Sequence, residues 1–242
     1  MNGSPEGKEG LCESSWLSQT CRAYWAFTPA PREGEGESED FDFTGRMLQR
    51  KNDNSYRGLK FVQLDKTSLE LFIVTHSSFA NNTDHSYQID FVIVLADCNK
   101  RANILHWSSI KCRRVKRSVL AAELYGVVYG FDVGSVIKAS LKKMLEQHIP
   151  LTLCTDSKPL FEFLVKLGST QEKRLMVDLM SLRQSYERRE LTHIRWIRGD
   201  SNPADAMTKS KCSNALKRMI DKNNITVDSY EWVERNLDNS FS

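Results

Sequence analysis

The stretch "LTLCTDS", residues 151–157, decides the fold class of this chain. Its apolar residues predict a buried strand that ends in Asp156 and turns directly into a helix, which aims the carboxylate at a ligand. Two more acids stand in similar contexts. Glu123 lies in the otherwise apolar helical run "AAELY" (121–125), and Asp205 lies in "NPADA" (202–206), where a helix is predicted to start.

Acids in apolar surroundings are costly to bury unless a positive charge neutralises them. Hard carboxylate oxygens suit Mg²⁺ or Mn²⁺, so Glu123, Asp156 and Asp205 predict a divalent-metal site for phosphoryl transfer. Each acid also has a simpler interpretation. Glu123 faces solvent in one alternative, Asp156 caps the following helix in another, and Asp205 is favoured by a helix dipole in the third.

The pattern of apolar residues predicts the order of the elements around these acids. Strands are predicted at 69–80, 86–97, 103–109, 150–156 and 191–197, and helices at about 118–147, with a break near 130–134, at 158–167 and after 169. The turn-rich residues 81–84 join the first two strands into a hairpin, which sets position 90 opposite position 76. The fold class is therefore α/β, with a mixed five-stranded sheet of three antiparallel strands and then two parallel ones, and helices on both faces.

Three segments carry a resemblance to a known family: "HWSSIKCRRVKRSVLAAELYG", "CTDSKPLFEFLVKLGSTQEKRLMVDLMSLRQSYERRE" and "RWIRGDSNPADAMTK". They resemble the C-terminal ribonuclease H region of copia-type retrotransposon Pol polyproteins of the fungal kind, over roughly residues 57 to 209. The resemblance implies a ribonuclease H-like fold, an RNA–DNA hybrid as partner, and hydrolysis of the RNA strand by two metal ions. The parent polyprotein would also carry a reverse transcriptase and an integrase, so the chain is expected to be a fragment of Pol or a gene derived from one.

The chain departs from the family pattern at the end of the first strand. Where the family has a Thr-Asp-Ala-Ser-Phe-Ala type of motif, this sequence reads "THSSFA" (75–80), so His76 stands in place of the first catalytic Asp. A neutral imidazole offers one nitrogen where two oxygens are needed and is a poorer ligand for Mg²⁺. We therefore expect weakened metal binding and weak or absent cleavage. Asp90, on the neighbouring strand, either supplies a displaced carboxylate or simply pairs with His76.

A basic strip at 101–117 precedes the helix of Glu123 and contains no acid. It predicts contacts with the phosphates of a hybrid duplex, whose RNA strand is recognised through its 2′-hydroxyls. A solvated charged loop is the alternative. The predicted nucleic-acid-binding residues are Lys111, Arg113, Arg114, Lys116 and Arg117.

Composition sets the limits of the chain. Residues 1–44 hold nine acids and three Lys/Arg, a net charge of −6, so the rest must carry +9 to give the total of +3 for 242 residues. We predict an acidic, largely disordered segment at 1–56, a ribonuclease H-like domain at 57–210 and a helical extension at 211–242. Six cysteines without metal-ligand spacing, and the lack of a signal peptide or of a run of ~20 apolar residues, predict an intracellular protein, cytoplasmic or nuclear, with no membrane partner.

Two further functions stay open beside the hybrid ribonuclease. The first is a non-catalytic nucleic-acid-binding module derived from the element. The second is a structural appendage of a polymerase with no independent role. The sequence gives no prediction of the oligomeric state.

Overall fold

A computed structural model describes residues 58–78, 87–112, 118–166, 173–207 and 213–227, and the backbone of 229–231. A mixed sheet of six strands organises this part of the chain, in the order β3-β2-β1-β4-β5-β6. The strands are β1 Glu70–Ser78, β2 Tyr87–Ala96, β3 Ala102–Cys112, β4 Leu151–Thr155, β5 His193–Ile197 and β6 Ser229–Glu231.

Strands β1 to β3 pair antiparallel, and β4 and β5 run parallel to β1. This order confirms the predicted ribonuclease H-like core of five strands. A sixth strand, which the sequence did not predict, pairs antiparallel with β5 at the sheet edge. The predicted hairpin register is also confirmed, because His76 pairs with Asp90.

The helices cover both faces of the sheet, as predicted. They are α1 Val119–Leu145, α2 Lys158–Val165, α3 Lys173–Glu187 and α4 Asn214–Lys222. Helices α1 to α3 pack on the face that carries the odd-numbered side chains of β1, among them Leu71 and Ile73. The other face, which carries Phe72 and Val74, is covered by Met219 of α4 and by Ile225.

Helix α1 is continuous, and the predicted break near Gly130–Gly134 is wrong. These glycines serve packing: a Cβ atom at Gly130 would lie 2.9 Å from Cγ2 of Ile73, and one at Gly134 would lie 2.8 Å from its Cγ1. Close approach of α1 to β1 therefore explains the glycines. Ser118 caps the helix, since its hydroxyl accepts from the Ala121 N–H at 3.3 Å.

Helix α1 also meets the length and composition of a membrane-spanning helix. Its buried residues include Ala121, Leu124 and Val127, which belong to the core cluster on the sheet. That packing accounts for the apolar residues on its buried face.

The structure describes different shares of the three predicted domains. Residues 1–57 and 232–242 lie outside the described residues. Within the predicted helical extension at 211–242, α4 and β6 contact the same sheet as the rest of the domain.

Candidate active site

Neighbouring parallel strands bring His76 and Asp156 together. Thr75 of β1 pairs with Thr155 of β4, so the next residues, His76 within β1 and Asp156 just after the end of β4, lie at the same level. His76 Nδ1 lies 3.1 Å from Asp156 Oδ2, and both side chains are less than one fifth exposed. Ser157, not Asp156, stands at the N-cap position of α2, so capping does not explain the acid.

The loop after β5 supplies a second carboxylate to the same imidazole. Buried Asn202 donates from Nδ2 to the Thr75 carbonyl at 2.9 Å and accepts at Oδ1 from the Ala204 N–H at 2.9 Å. These bonds tie the short 3-10 helix Ala204–Met207 to the end of β1. Asp205 Oδ1 consequently lies 3.3 Å from Nε2 of His76, on the opposite side of the ring from Asp156.

Glu123 enters the site from helix α1. Only 6% of the residue is exposed, so the solvent-facing alternative is excluded. Its Oε2 is buried without a hydrogen-bond partner among the described residues. Glu123, His76 and Asp156 each offer a ligand atom within 4.8 Å of the others, and this group could hold a metal ion.

The cluster determines the charge of its members. Burial lowers the pKa of His76, but the hydrogen bond and charge of Asp156, together with the charges of Glu123 and Asp205, raise it overall to about 9. Burial raises the pKa of Glu123 to about 8, and the charge of Asp156 acts in the same direction. The raised pKa favours the imidazolium form of His76 at neutral pH over the neutral ring expected from the sequence.

Asp90 lies beside His76 in the strand register, as predicted, and is completely buried. Burial raises its pKa to about 7, against the opposing effects of the Ser109 hydroxyl and the His76 charge. Neither carboxylate oxygen has a hydrogen bond of normal geometry among the described residues. Asp90 is not a member of the group of potential metal ligands formed by His76, Glu123 and Asp156.

These residues do not fit the pair of Mg²⁺ ions that the family resemblance implies. The position expected to bridge the ions holds an imidazole, whose two nitrogens face Asp156 and Asp205. Its positive charge already neutralises the carboxylates that Mg²⁺ would need. Of the three predicted metal ligands, Glu123 and Asp156 belong to one potential metal-binding group with His76, whereas Asp205 contacts the far side of the ring.

Two residues that shape the site were missed as functional residues by sequence reasoning. Trp196 of β5 donates from its indole Nε1 to the Asp156 carbonyl at 3.2 Å. Asn202, described above, positions the segment of Asp205. The Asn-Pro pair before the acid was a usable signal, since an Asx turn commonly opens a helical turn; nothing local marks Trp196.

The predicted nucleic-acid-binding residues are only partly described. Lys111 is exposed at the end of β3, two residues from Ser109, which pairs with Asp90. Arg113, Arg114, Lys116 and Arg117 lie outside the described residues. Arg101, at the start of the same strip, forms an ion pair with Asp97 at 2.7 Å.

Comparison with known proteins gives matches in structure only. No protein-family model matches the chain, and no curated protein sequence matches it. The described fold is similar to LC11-RNase H1, isolated from compost by a metagenomic approach, at 17% identity and a TM-score of 0.43, over 63% of this chain and 96% of that chain. RNase H1 of the archaeon Halobacterium salinarum is 14% identical, with a TM-score of 0.40 over 62% of this chain and 97% of that chain. The PFV RNase H domain is 17% identical, with a TM-score of 0.38 over 65% of this chain and 93% of that chain. Similarity at this level transfers no activity to this chain.

Proposed function

We propose that this chain contains an RNA–DNA hybrid ribonuclease domain of a copia-type retrotransposon polyprotein, of the fungal kind, whose Mg²⁺-dependent cleavage is impaired by His76. The observation that carries the proposal is the meeting of Glu123, Asp156 and Asp205 around His76 at the ends of β1 and β4. Three isolated acids from a helix, a strand end and a loop converge there. That convergence is what phosphodiester hydrolysis by metal ions requires.

The impairment follows from the chemistry of the substituted side chain. An imidazolium repels a divalent cation, and even as a neutral ring it presents one nitrogen in place of two oxygens. Loss of one central group from a site that acts as a unit removes most of the rate. We expect wild-type protein to cleave a hybrid slowly or not at all in Mg²⁺.

Binding of the hybrid rests on different groups, so we expect it to survive the loss of cleavage. The basic residues Lys111, Arg113, Arg114, Lys116 and Arg117 are proposed to contact phosphates. A non-catalytic nucleic-acid-binding module is therefore the second candidate function, and the ion pairs of His76 with Asp156 and Asp205 favour it over an active enzyme.

Free Cys98, Cys112 and Cys154 are in keeping with a reducing, intracellular location.

Cleavage of a labelled RNA–DNA hybrid in Mg²⁺ tests the first function. His76→Asp should restore cleavage, and the double variant with Asp156→Asn should lose it again. Robust wild-type cleavage that Asp156→Asn leaves unchanged would show that the reacting groups lie elsewhere. Binding is tested by gel shift in EDTA with hybrid and with duplex DNA.

Replacement of Arg113, Arg114, Lys116 and Arg117 together by Ala tests the basic strip. Each lost phosphate contact should reduce the slope of log affinity against log salt by up to ~0.9. An unchanged slope would assign the strip to solvent.

A further inference from the structure

The donor set around His76 differs in chemical type from a site made only of carboxylates. His76 contributes a nitrogen, and Glu123 and Asp156 contribute oxygens, all within 4.8 Å of one another. Carboxylate oxygens alone suit Mg²⁺, whereas imidazole nitrogen favours Zn²⁺ and its neighbours among the transition metals. The substitution that removes a Mg²⁺ ligand thus creates a ligand for another class of metal.

The spacing of two donors is within a few tenths of an ångström of that in a zinc site. Ligand bonds of about 2.1 Å that meet at the tetrahedral angle hold their donor atoms about 3.4 Å apart. Nδ1 of His76 and Oδ2 of Asp156 are 3.1 Å apart. A carboxylate oxygen of Glu123 supplies the third donor, within 4.8 Å of the other two. The Oε2 atom of this side chain is buried and has no hydrogen-bond partner among the described residues.

The other ring nitrogen has the partner that a metal-bound histidine needs. Nε2 lies 3.3 Å from Oδ1 of Asp205. A carboxylate that accepts the N–H of one ring nitrogen fixes the tautomer, so that the lone pair of the other nitrogen faces the metal. Asn202 holds the Asp205 segment against β1, which makes this carboxylate a fixed feature of the site.

We propose that this site binds a transition metal of the Zn²⁺ class through His76 Nδ1, Glu123 and Asp156, with Asp205 orienting the imidazole. Coordination of the ion at Nδ1 requires that this nitrogen carries no proton, so any proton held there passes to solvent. The inference deepens the proposed function, on which it rests for any use of the metal with nucleic acid. Metal binding itself is a property of the protein alone.

Calorimetric titration of the full chain with Zn²⁺ and with Mg²⁺, in the absence of nucleic acid, tests the proposal. We expect one Zn²⁺ per chain, bound at least tenfold more tightly than Mg²⁺. His76→Ala should abolish this binding, and Glu123→Gln, which preserves shape, should weaken it. Asp205→Asn should weaken it about 10- to 100-fold without abolishing it.

Exposed His148 and Cys98 provide matched controls for adventitious binding of Zn²⁺. His148→Asn and Cys98→Ser should leave the affinity unchanged. Equal affinity for Zn²⁺ and Mg²⁺ would overturn the proposal, as would Zn²⁺ binding that neither His76→Ala nor Glu123→Gln affects. Circular dichroism establishes whether each variant is folded. If His76→Ala is unfolded, the Zn²⁺ affinity of Glu123→Gln decides the test.

The outcome is separate from that of the proposed function. Zn²⁺ binding without affinity for the hybrid in EDTA would leave the metal site standing and refute the nucleic-acid function. Hybrid binding without Zn²⁺ binding would do the reverse.

Discussion

Replacement of His76 by Asp should remove an internal positive charge and make the stability of the folded protein dependent on Mg²⁺. The pKa of His76 rises from 6.5 to about 9 in the folded protein, and its side chain is 16% exposed. At about 1.4 kcal/mol per pH unit, the protonated ring contributes on the order of 3 kcal/mol to stability at neutral pH. His76→Asp removes this contribution and adds a carboxylate beside Asp156 and Asp205. In EDTA the variant should therefore be less stable by about 3 kcal/mol or more.

Magnesium should recover most of that loss in the variant only. An ion present at about 100 times its dissociation constant stabilises the folded state by about 2.7 kcal/mol. Urea unfolding of both proteins in EDTA and in 10-fold steps of MgCl₂ measures the effect, and hybrid cleavage is followed in the same buffers. His76→Asn is the matched control: it loses the charge but gains no carboxylate, so Mg²⁺ should restore less of its stability than in His76→Asp. Equal stability of wild type and His76→Asp in EDTA, with no response to Mg²⁺, would refute the assignment of His76 as the internal cation.

Four further substitutions, two of glycine and two of aspartate, test packing and charge by urea unfolding. Gly134→Ala should destabilise the protein by about 1–3 kcal/mol, because the added Cβ would overlap Ile73. Gly126→Ala should stabilise it by up to ~1 kcal/mol, because the added Cβ would have no contact closer than 3.5 Å. Equal effects of the two substitutions would contradict the packing argument. Asp90→Asn should have little effect on stability near pH 4 and should stabilise the protein by up to about 4 kcal/mol at pH 8. Ionising a buried carboxyl whose pKa is raised to about 7 costs the wild-type protein stability as the pH rises from 4 towards 7. A loss of stability in the variant at pH 8 would indicate that Asp90 pairs with His76. Asp97→Asn should be destabilising at neutral pH and less so as the pH falls below 4. Three backbone N–H groups and an arginine lower the pKa of this carboxyl against the effect of burial, so its ionised form stabilises the fold; a loss that does not diminish as the pH falls would contradict this.

Local patterns predicted those parts of the fold that depend on period and turn chemistry. Strands β1 and β2 are apolar, β-branched runs that flank a short polar segment, so the pairing of His76 with Asp90 followed from their equal distance from the turn. The parallel strand β4 was predicted because its apolar run ends abruptly in Asp156. These features are encoded within a few residues.

Other features depend on contacts distant in sequence and could not be read locally. Glycine favours a helix break by propensity, yet Gly130 and Gly134 lie in an unbroken helix because Ile73 leaves no room for a side chain there. Strand β6 has three residues, and only its pairing with β5 defines it. The raised pKa of His76 likewise depends on Asp205, which is 129 positions away in sequence. Asn202 holds the Asp205 segment against β1, so that Asp205 contacts the ring.

The scaffold places whatever residue stands at position 76 between two carboxylates. The parallel pairing of Thr75 with Thr155 fixes one neighbour, Asp156, and the bond from Asn202 to the Thr75 carbonyl fixes the other, Asp205. Neither constraint involves the side chain at 76. An Asp there would add negative charge that a metal must neutralise, whereas a His neutralises the charge itself. The fold therefore survives a change in the chemistry of this residue, and so metal preference and cleavage can change independently of the surface that would bind a nucleic acid.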